Sequence, residues 1–370
     1  MNPRRSDPQL THAPRRDEGF VLVAVLVALV VITLLATAVA LVSERAVREA
    51  RENVEAFEAE VAAVSTRDSV LFLLNTQRQT YGGLTIDQQV VWSAGGATAD
   101  RADESELGGL PPRLPIGNEI RLDGTAYQGL GGVSFALQDD GGLFSPNWTF
   151  PLYRPGFFAL VDVPVQEWPQ LEAKRLDYQD PDHLLRLGGA ETSEYAERDL
   201  PAPSNRTLAT ALEVRRVLGW RDALEDRTDA ELMSLVTASR NVSVNINTAP
   251  TGVLQTLPGV DQAKAERMVA MRRSLPFMLT WQFFDTFDLP LDEMAPVGLL
   301  ATGNGTLRLW HNASGGPIRV LHWTLTPIDE GGRPWRLDYE IVLPRDEVTT
   351  DIPAGPTASP LFAAPDATRG

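Results

Sequence analysis

Between Phe20 and Val42 the chain carries no charged residue, and its only polar ones are Thr33 and Thr37. As a helix, those 23 residues would extend roughly 35 Å, enough to cross a hydrocarbon core of about 30 Å. Charges bracket the run, with Arg15, Arg16, Asp17 and Glu18 before it and Glu44, Arg45 and Arg48 after it. The run reads as a spanning helix with three possible fates: a discarded signal, a permanent anchor, or a segment later released from the membrane. Ala36-Thr37-Ala38 and Ala38-Val39-Ala40 resemble signal-peptidase sites, but the apolar core of a secretory signal is usually only about 7–15 residues. An uncleaved anchor, or cutting elsewhere, fits better. The stub before the run leans basic, with Arg4, Arg5, Arg15 and Arg16 against Asp7, Asp17 and Glu18. That favours a cytoplasmic N-terminus and a body on the far side.

The apolar run does not end the helix. Beyond Glu44, apolar residues recur at Val47, Ala50, Val54, Phe57, Val61, Val64 and Leu71, and no Pro or Gly interrupts from Phe20 to Arg78. This 3-4 spacing predicts an amphipathic continuation. Its stripe, mostly Ala and Val, suits packing on the chain's own sheet, with a parallel coiled coil as the alternative.

A net charge of −16 over 370 residues argues against a chain built to hold nucleic acid, because phosphate contacts need Lys and Arg. The absence of cysteine excludes disulfides, thiolate metal sites and cysteine nucleophiles. There is no P-loop, no Gly-x-Ser-x-Gly elbow, no His-Glu-x-x-His and no dinucleotide fingerprint. His311 and His322 fall on predicted strands and read as surface residues rather than catalytic bases, so no enzyme activity is expected.

The Gly19-Phe20 junction, preceded by charge and followed by an apolar helix that turns amphipathic, resembles the class III signal of type IV pilins and pseudopilins. The resemblance implies cleavage by a prepilin peptidase between Gly19 and Phe20, and methylation of the new N-terminus. Members of that family usually carry Glu at the fifth mature position, where this chain has Ala24. That Glu neutralises the N-terminal ammonium of the subunit ahead, and an unpaired ammonium among apolar helices costs several kcal/mol. A subunit lacking it suits the filament tip. In this the chain resembles the K-type minor pseudopilin of type II secretion.

Strands are expected at Glu119–Leu122 and Gly132–Leu137, the second running into an Asp-Gly-Gly turn. Between Leu171 and Gly219, the acids Asp177, Asp180, Asp182, Glu191, Glu194 and Glu197 crowd a short glycine-containing loop. Hard oxygen ligands on a flexible loop are what Ca²⁺ requires, but without EF-hand spacing a solvated acidic loop is the reading the residues alone favour. The resemblance implies calcium, with Asp180, Asp182, Glu191 and Glu194 as the matching positions. Helices are expected at Ala209–Gly219 and within Asp222–Thr237.

Val242 to Pro250 alternates like a short strand and ends Asn245-Ile246-Asn247-Thr248-Ala249-Pro250. Thr248 can cap a following helix, and Asp261 a second one carrying Ala265, Met268, Val269 and Arg272. This outlines a helix–hairpin–helix. In its DNA-binding form, backbone amides of a Gly-hydrophobic-Gly turn meet a phosphate, but here Asp261 replaces the second glycine. The pattern instead resembles the SAM-like second part of the K subunit's inserted helical domain, where it is structural. Leu307–His311, Ile318–Thr326 and Trp335–Leu343 read as strands of an antiparallel meander, with turns at Gly315-Gly316 and Gly331-Gly332.

The expected fold is thus α+β: a pilin-like N-terminal helix packed on an antiparallel sheet, with a large inserted all-α domain whose second part is SAM-like or helix-hairpin-helix-like. The expected division is a leader at 1–19, a transmembrane part at 20–42, an amphipathic continuation at 43–80, a β-domain at 81–150 and 300–345, an insert at 151–299 with its motif at 242–277, and a disordered tail at 346–370. The resemblance implies a single-pass inner-membrane protein with a periplasmic body. Its partners would be the H-, I- and J-type minor pseudopilins, the major pseudopilin and the prepilin peptidase, with secretin and secreted cargo also in reach. A tip minor pilin of a type IV pilus and a membrane-anchored DNA receptor of a competence system are the alternatives.

Overall fold

The computed structural model describes residues 18–86, 113–290, 296–311, 316–326, 332, 334–345, 356–359 and 361–362. The chain forms two compact units, Met1–Glu58 and Ala59–Gly370. The first consists, where described, of the helix α1, which runs over Glu18–Thr76 and so continues into the second unit. The apolar residues from Val21 to Val42 are exposed. Among the described residues, α1 is the one helix long and apolar enough to cross a membrane. The leader at 1–17 lies outside the described residues.

The second unit is built on a five-stranded antiparallel sheet. Its strands are β3 (Asp123–Gln128), β4 (Val133–Asp139), β7 (Asn304–His311), β8 (Ile318–Leu325) and β9 (Trp335–Leu343), in the order β3-β4-β7-β8-β9. Alternation along the strands gives the sheet two apolar faces. Phe135, Leu137, Leu307, Leu309, Leu321 and Trp323 face the last turns of α1 at Val70, Leu71, Leu73 and Leu74. Ala136, Trp310, Ile318, Val320 and Leu343 face the helical insert. Both faces being covered explains why every residue of β4 is buried.

Only the end of α1 packs in this way. Within the second unit Val61 is exposed, and the stripe meets the sheet from Ala62 onward; in the first unit Val47, Val54 and Phe57 are exposed. The helix also stops at Thr76 rather than at 80, because the chain turns into the small antiparallel pair β1 (Gln79–Thr80) and β2 (Gly83–Leu84). Residues 87–112 of the expected loop lie outside the described residues. On the α1 side, Arg319 of β8 meets Glu60 with two parallel bonds of 2.7 and 2.6 Å.

The strand expected at Glu119–Leu122 is only a bridge between Ile120 and Leu84; the true strand begins at Asp123. The tail also departs from expectation. Thr357 pairs with β3, its amide donating to Ala126 O and its carbonyl accepting from Gln128 N, and Phe362 packs edge-on against Phe135. Residues 356–359 and 361–362 are therefore ordered on the sheet, and the rest of 346–370 lies outside the described residues, as do Gly315 and Gly331 of the expected turns.

β4 and β7 are neighbours, so residues 140–303 leave the sheet and return at one point. The insert contains α2 (Arg154–Leu160), α3 (Trp168–Gln179), α4 (Thr192–Ala196), α5 (Trp220–Ala223), α6 (Asp229–Leu235), α7 (Thr251–Leu254), α8 (Gln262–Ser274) and α9 (Thr280–Phe287). A two-residue parallel pair, β5 (Val244–Asn245) with β6 (Val297–Gly298), closes it. The helix expected at Ala209–Gly219 is a 3-10 turn over Ala211–Arg216, halted before the left-handed Gly219. Its core is aromatic: Phe144 stacks on Phe157 at 4.1 Å, and Phe157 and Phe158 flank Trp220, whose indole N–H donates to Leu171 O. Each such ring contributes roughly 1.5–3 kcal/mol by burial.

The point of departure and return is pinned by Asp139, fully buried at the end of β4. It accepts from Thr302 N and Oγ1 (both 2.7 Å), Thr248 Oγ1 (2.8 Å) and Asn245 Nδ2 (3.0 Å). Thr248 therefore does not cap the next helix; its hydroxyl is turned to Asp139, and Pro250 takes the cap position of α7. Asn247 holds Phe277 N and O and Leu299 O. In this way the Asn-Ile-Asn-Thr stretch fixes the insert to the strand ends. Gly259 turns between α7 and α8 with φ +79°, and Asp261 caps α8 by accepting from Lys264 N at 2.7 Å. Ala265, Met268 and Arg272 form the buried face of α8, as its spacing predicts.

Candidate functional site

The acidic corner is built by the end of α3 and the loop that follows. Leu171, Arg175 and Tyr178 turn one stripe of α3 inward, which leaves Asp177 and Asp180 on the last turn facing the returning loop. Glu191 arrives at the start of α4. One oxygen each from Asp177, Asp180 and Glu191 lies within 4.8 Å of the others. Gly189 makes this possible, since a Cβ there would stand 1.9 Å from Asp177 Oδ2.

The three acids are not equally satisfied. Asp177 accepts from Ala190 N (3.0 Å), Arg186 N (3.2 Å) and Arg186 Nη1 (2.6 Å), and the same Nη1 donates to Asp180. Glu191 is only 4 % exposed and its side chain turns toward the start of α4 in a capping box, yet among the described residues neither of its carboxylate oxygens makes a full hydrogen bond, and Asp180 Oδ1 also lacks one. His183 Nδ1 is 3.9 Å from Glu191. Burial, then the charges of Asp177 and Asp180, push the Glu191 carboxyl above its usual range. A buried carboxylate without a donor is costly, and clustered hard oxygens with free lone pairs fit a divalent cation such as Ca²⁺. Asp182 and Glu194 stand apart from this cluster. Asp182 accepts from Leu184 N, and Glu194 from Glu191 N and the Ser193 hydroxyl. The sequence signal for Asp177 is its i, i+3 relation to Asp180 on one helix face.

A second polar cluster went unread in the sequence. His322 is not a surface residue: it is 7 % exposed, with Nε2 2.8 Å from Asp140 Oδ2 and Nδ1 2.8 Å from Asp338 Oδ2. Asp338 is the extra residue of a bulge, since His322 pairs with Tyr339 and Trp323 with Leu337; the bulge aims its side chain across the strand. Asp140 also accepts from Thr237 Oγ1 at 2.8 Å and from Ser239 Oγ. Ser239 Oγ lies 3.5 Å from His322 Nε2. The imidazole nitrogen is already engaged by Asp140 and is not free to take a proton from that hydroxyl, so the group acts as a clasp between insert and sheet.

At the other end of the chain, Gly19 and Phe20 lie in the first turn of α1, which begins at Glu18, and Ala24 follows within the apolar stretch.

The architecture is α+β, a long N-terminal helix whose end packs on an antiparallel sheet carrying a helical insert. No family model and no curated protein matches the chain. Among solved structures, a chain of the GspK-GspI-GspJ complex from the enterotoxigenic Escherichia coli Type 2 Secretion System is similar, with 15% sequence identity and a TM-score of 0.47, over 80% of this chain and 99% of that one.

Proposed function

We propose that this chain is a minor pseudopilin of the K type in a type II secretion system. In this reading it sits at the pseudopilus tip, joins the H-, I- and J-type minor pseudopilins, primes assembly of the major pseudopilin and faces the secretin and its cargo. The carrying observation is α1 itself: it opens on the Gly19-Phe20 junction, is apolar over a membrane thickness, and ends packed on an antiparallel sheet. Ala24, in place of a carboxylate, supports the tip position. The carboxylate of Asp261 at the start of α8 supports a structural role for the helical hairpin, since it occupies the place a DNA phosphate would take. The anchor would lie in the inner membrane, with the N-terminus cytoplasmic and the body periplasmic. N-terminal sequencing of the mature protein tests the assignment. A methylated Phe20 is expected; an N-terminus near Leu41 would mean an ordinary signal peptide and would overturn it.

The same reading includes a Ca²⁺ ion held by Asp177, Asp180 and Glu191, with the half-exposed Arg186 swinging aside. Ca²⁺ at a hundredfold its dissociation constant is expected to stabilise the fold by about 2.7 kcal/mol, seen as a raised melting temperature. Glu191→Gln should abolish most of that rise. An equal rise in the variant, or none in the wild type, refutes the site.

A further inference from the structure

On another face of the insert, between α3, the segment after α4 and the turn before α5, lies a groove of about 610 Å³. That volume is within the range of about 300–1,000 Å³ that holds small ligands or short peptides. Leu200, 39 % exposed, supplies apolar surface, with the buried Val217 and Leu218 beneath, and Lys174, Arg216 and Arg221 supply charge. Five cations line the groove against one carboxylate, Asp222, in a chain whose net charge is −16.

Two of the five are already committed. Arg215 is spent on Asp229 Oδ1, Leu224 O and Arg227 O, and Arg198 donates to Glu194 O. Lys174, Arg216 and Arg221 make no hydrogen bond or ion pair with any described residue. Uncompensated cations beside apolar surface fit a ligand that is both anionic and apolar. Phosphate sites are commonly built from convergent backbone N–H groups. Three of those groups at this turn are used internally: Val217 N bonds Val214 O, Trp220 N bonds Val217 O, and Leu218 N bonds the Tyr195 hydroxyl. The charge on offer sits on three long side chains from separate elements, Lys174 of α3, Arg216 of the 3-10 turn and Arg221 of α5, which match carboxylates spaced along a peptide.

We propose that this groove binds an acidic, partly apolar peptide segment of a partner protein. Its carboxylates pair with Lys174, Arg216 and Arg221, and an apolar side chain between them rests on Leu200. The groove would act so whether or not the chain is a pseudopilin.

The test is fluorescence anisotropy with the full chain in detergent micelles and a short labelled peptide of alternating glutamate and leucine. Saturable binding that weakens with salt is expected. Arg216→Glu with Arg221→Glu should weaken it roughly tenfold or more, while Arg240→Glu, an exposed change elsewhere, should leave it intact. Circular dichroism checks that the variants fold. Wild-type protein alone also decides the matter. The idea fails if no saturable binding occurs, if the glutamine-leucine peptide binds equally well, or if inorganic phosphate displaces the peptide where acetate does not.

Discussion

Raising the pH from about 6 to about 9 is expected to lower the urea midpoint of the protein, and His322→Ala to remove that slope along with about 3–5 kcal/mol of stability. Burial by itself would lower the His322 pKa; the hydrogen bonds and charges of Asp140 and then Asp338 overcome it and hold the imidazolium above its ordinary range. A pKa raised in the folded state gives stability that is complete below the ordinary value of about 6.5 and is lost as pH climbs through the raised value. Asp338 behaves oppositely. Burial would raise it, but Thr324, Arg336 and His322 bring it below the usual range, so its contribution is present above about pH 4 and fades in stronger acid. Tyr339, stacked on the imidazole at 5.0 Å, has its phenol pushed up by burial and by both carboxylates and stays neutral throughout. The clasp is therefore tightest in mild acid. In the alanine variant Asp140, 1 % exposed, keeps its hydroxyl donors but loses its cation. A wild-type midpoint in that variant, or a pH slope surviving in it, would show that His322 does not carry the effect.

Arg272→Met is expected to cost a similar 3–5 kcal/mol, roughly that of breaking a buried ion pair. Arg272 is 2 % exposed, donates to Ile246 O (2.9 Å) and Ala249 O (2.6 Å), and approaches Asp123 Oδ2 at 3.6 Å. Burial brings its pKa down to about 10, so it remains charged in neutral solution. Arg121 completes the link by donating to the carbonyls of Arg272 and Arg273. Burial would raise the Asp123 pKa, but Arg272 and then Arg121 outweigh it and hold the carboxyl below its usual range. That stability is present above about pH 4 and lost as pH falls, so without Arg272 acid unfolding should begin at higher pH. Adding Asp123→Leu should recover part of the loss, because replacing both members of a buried pair is far milder than orphaning one. A double variant no more stable than the single one would mean that the lost carbonyl bonds, not the stranded carboxylate, dominate.

These two clusters mark where sequence reading stops. The apolar run, the amphipathic continuation and the strands at 304–343 were legible because each is a local pattern of charge, period and turn residues. Asp261 as a cap was legible for the same reason, since its partner lies three residues away. His322 looked like a surface residue because alternation says which face a strand residue takes, not what the insert brings to that face. Its partner Asp140 lies 182 residues earlier. The acidic loop was readable as a crowd of oxygens, but which acids meet depends on the last turn of α3 and on Arg186. The 119–122 segment alternates like a strand because Ile120 and Leu122 are buried, yet its pairing is a single bridge.

The insertion point has a kinetic consequence. β4 and β7 meet at the pair Asp139–Gly305, and just before β7 Thr302 binds Asp139 from 163 residues away. With the intervening chain unstructured, joining them means closing a long loop, whose entropic cost grows only logarithmically with length but must be met before any strand bond repays it. A folded insert has its two ends already side by side and converts that search into something close to a hairpin closure. A chain folding by that route would form the aromatic core around Phe157 and Trp220 first, let Asn245 and Thr248 catch Asp139, and close the sheet last. A lesion deep in the insert would then slow completion of a sheet it never touches.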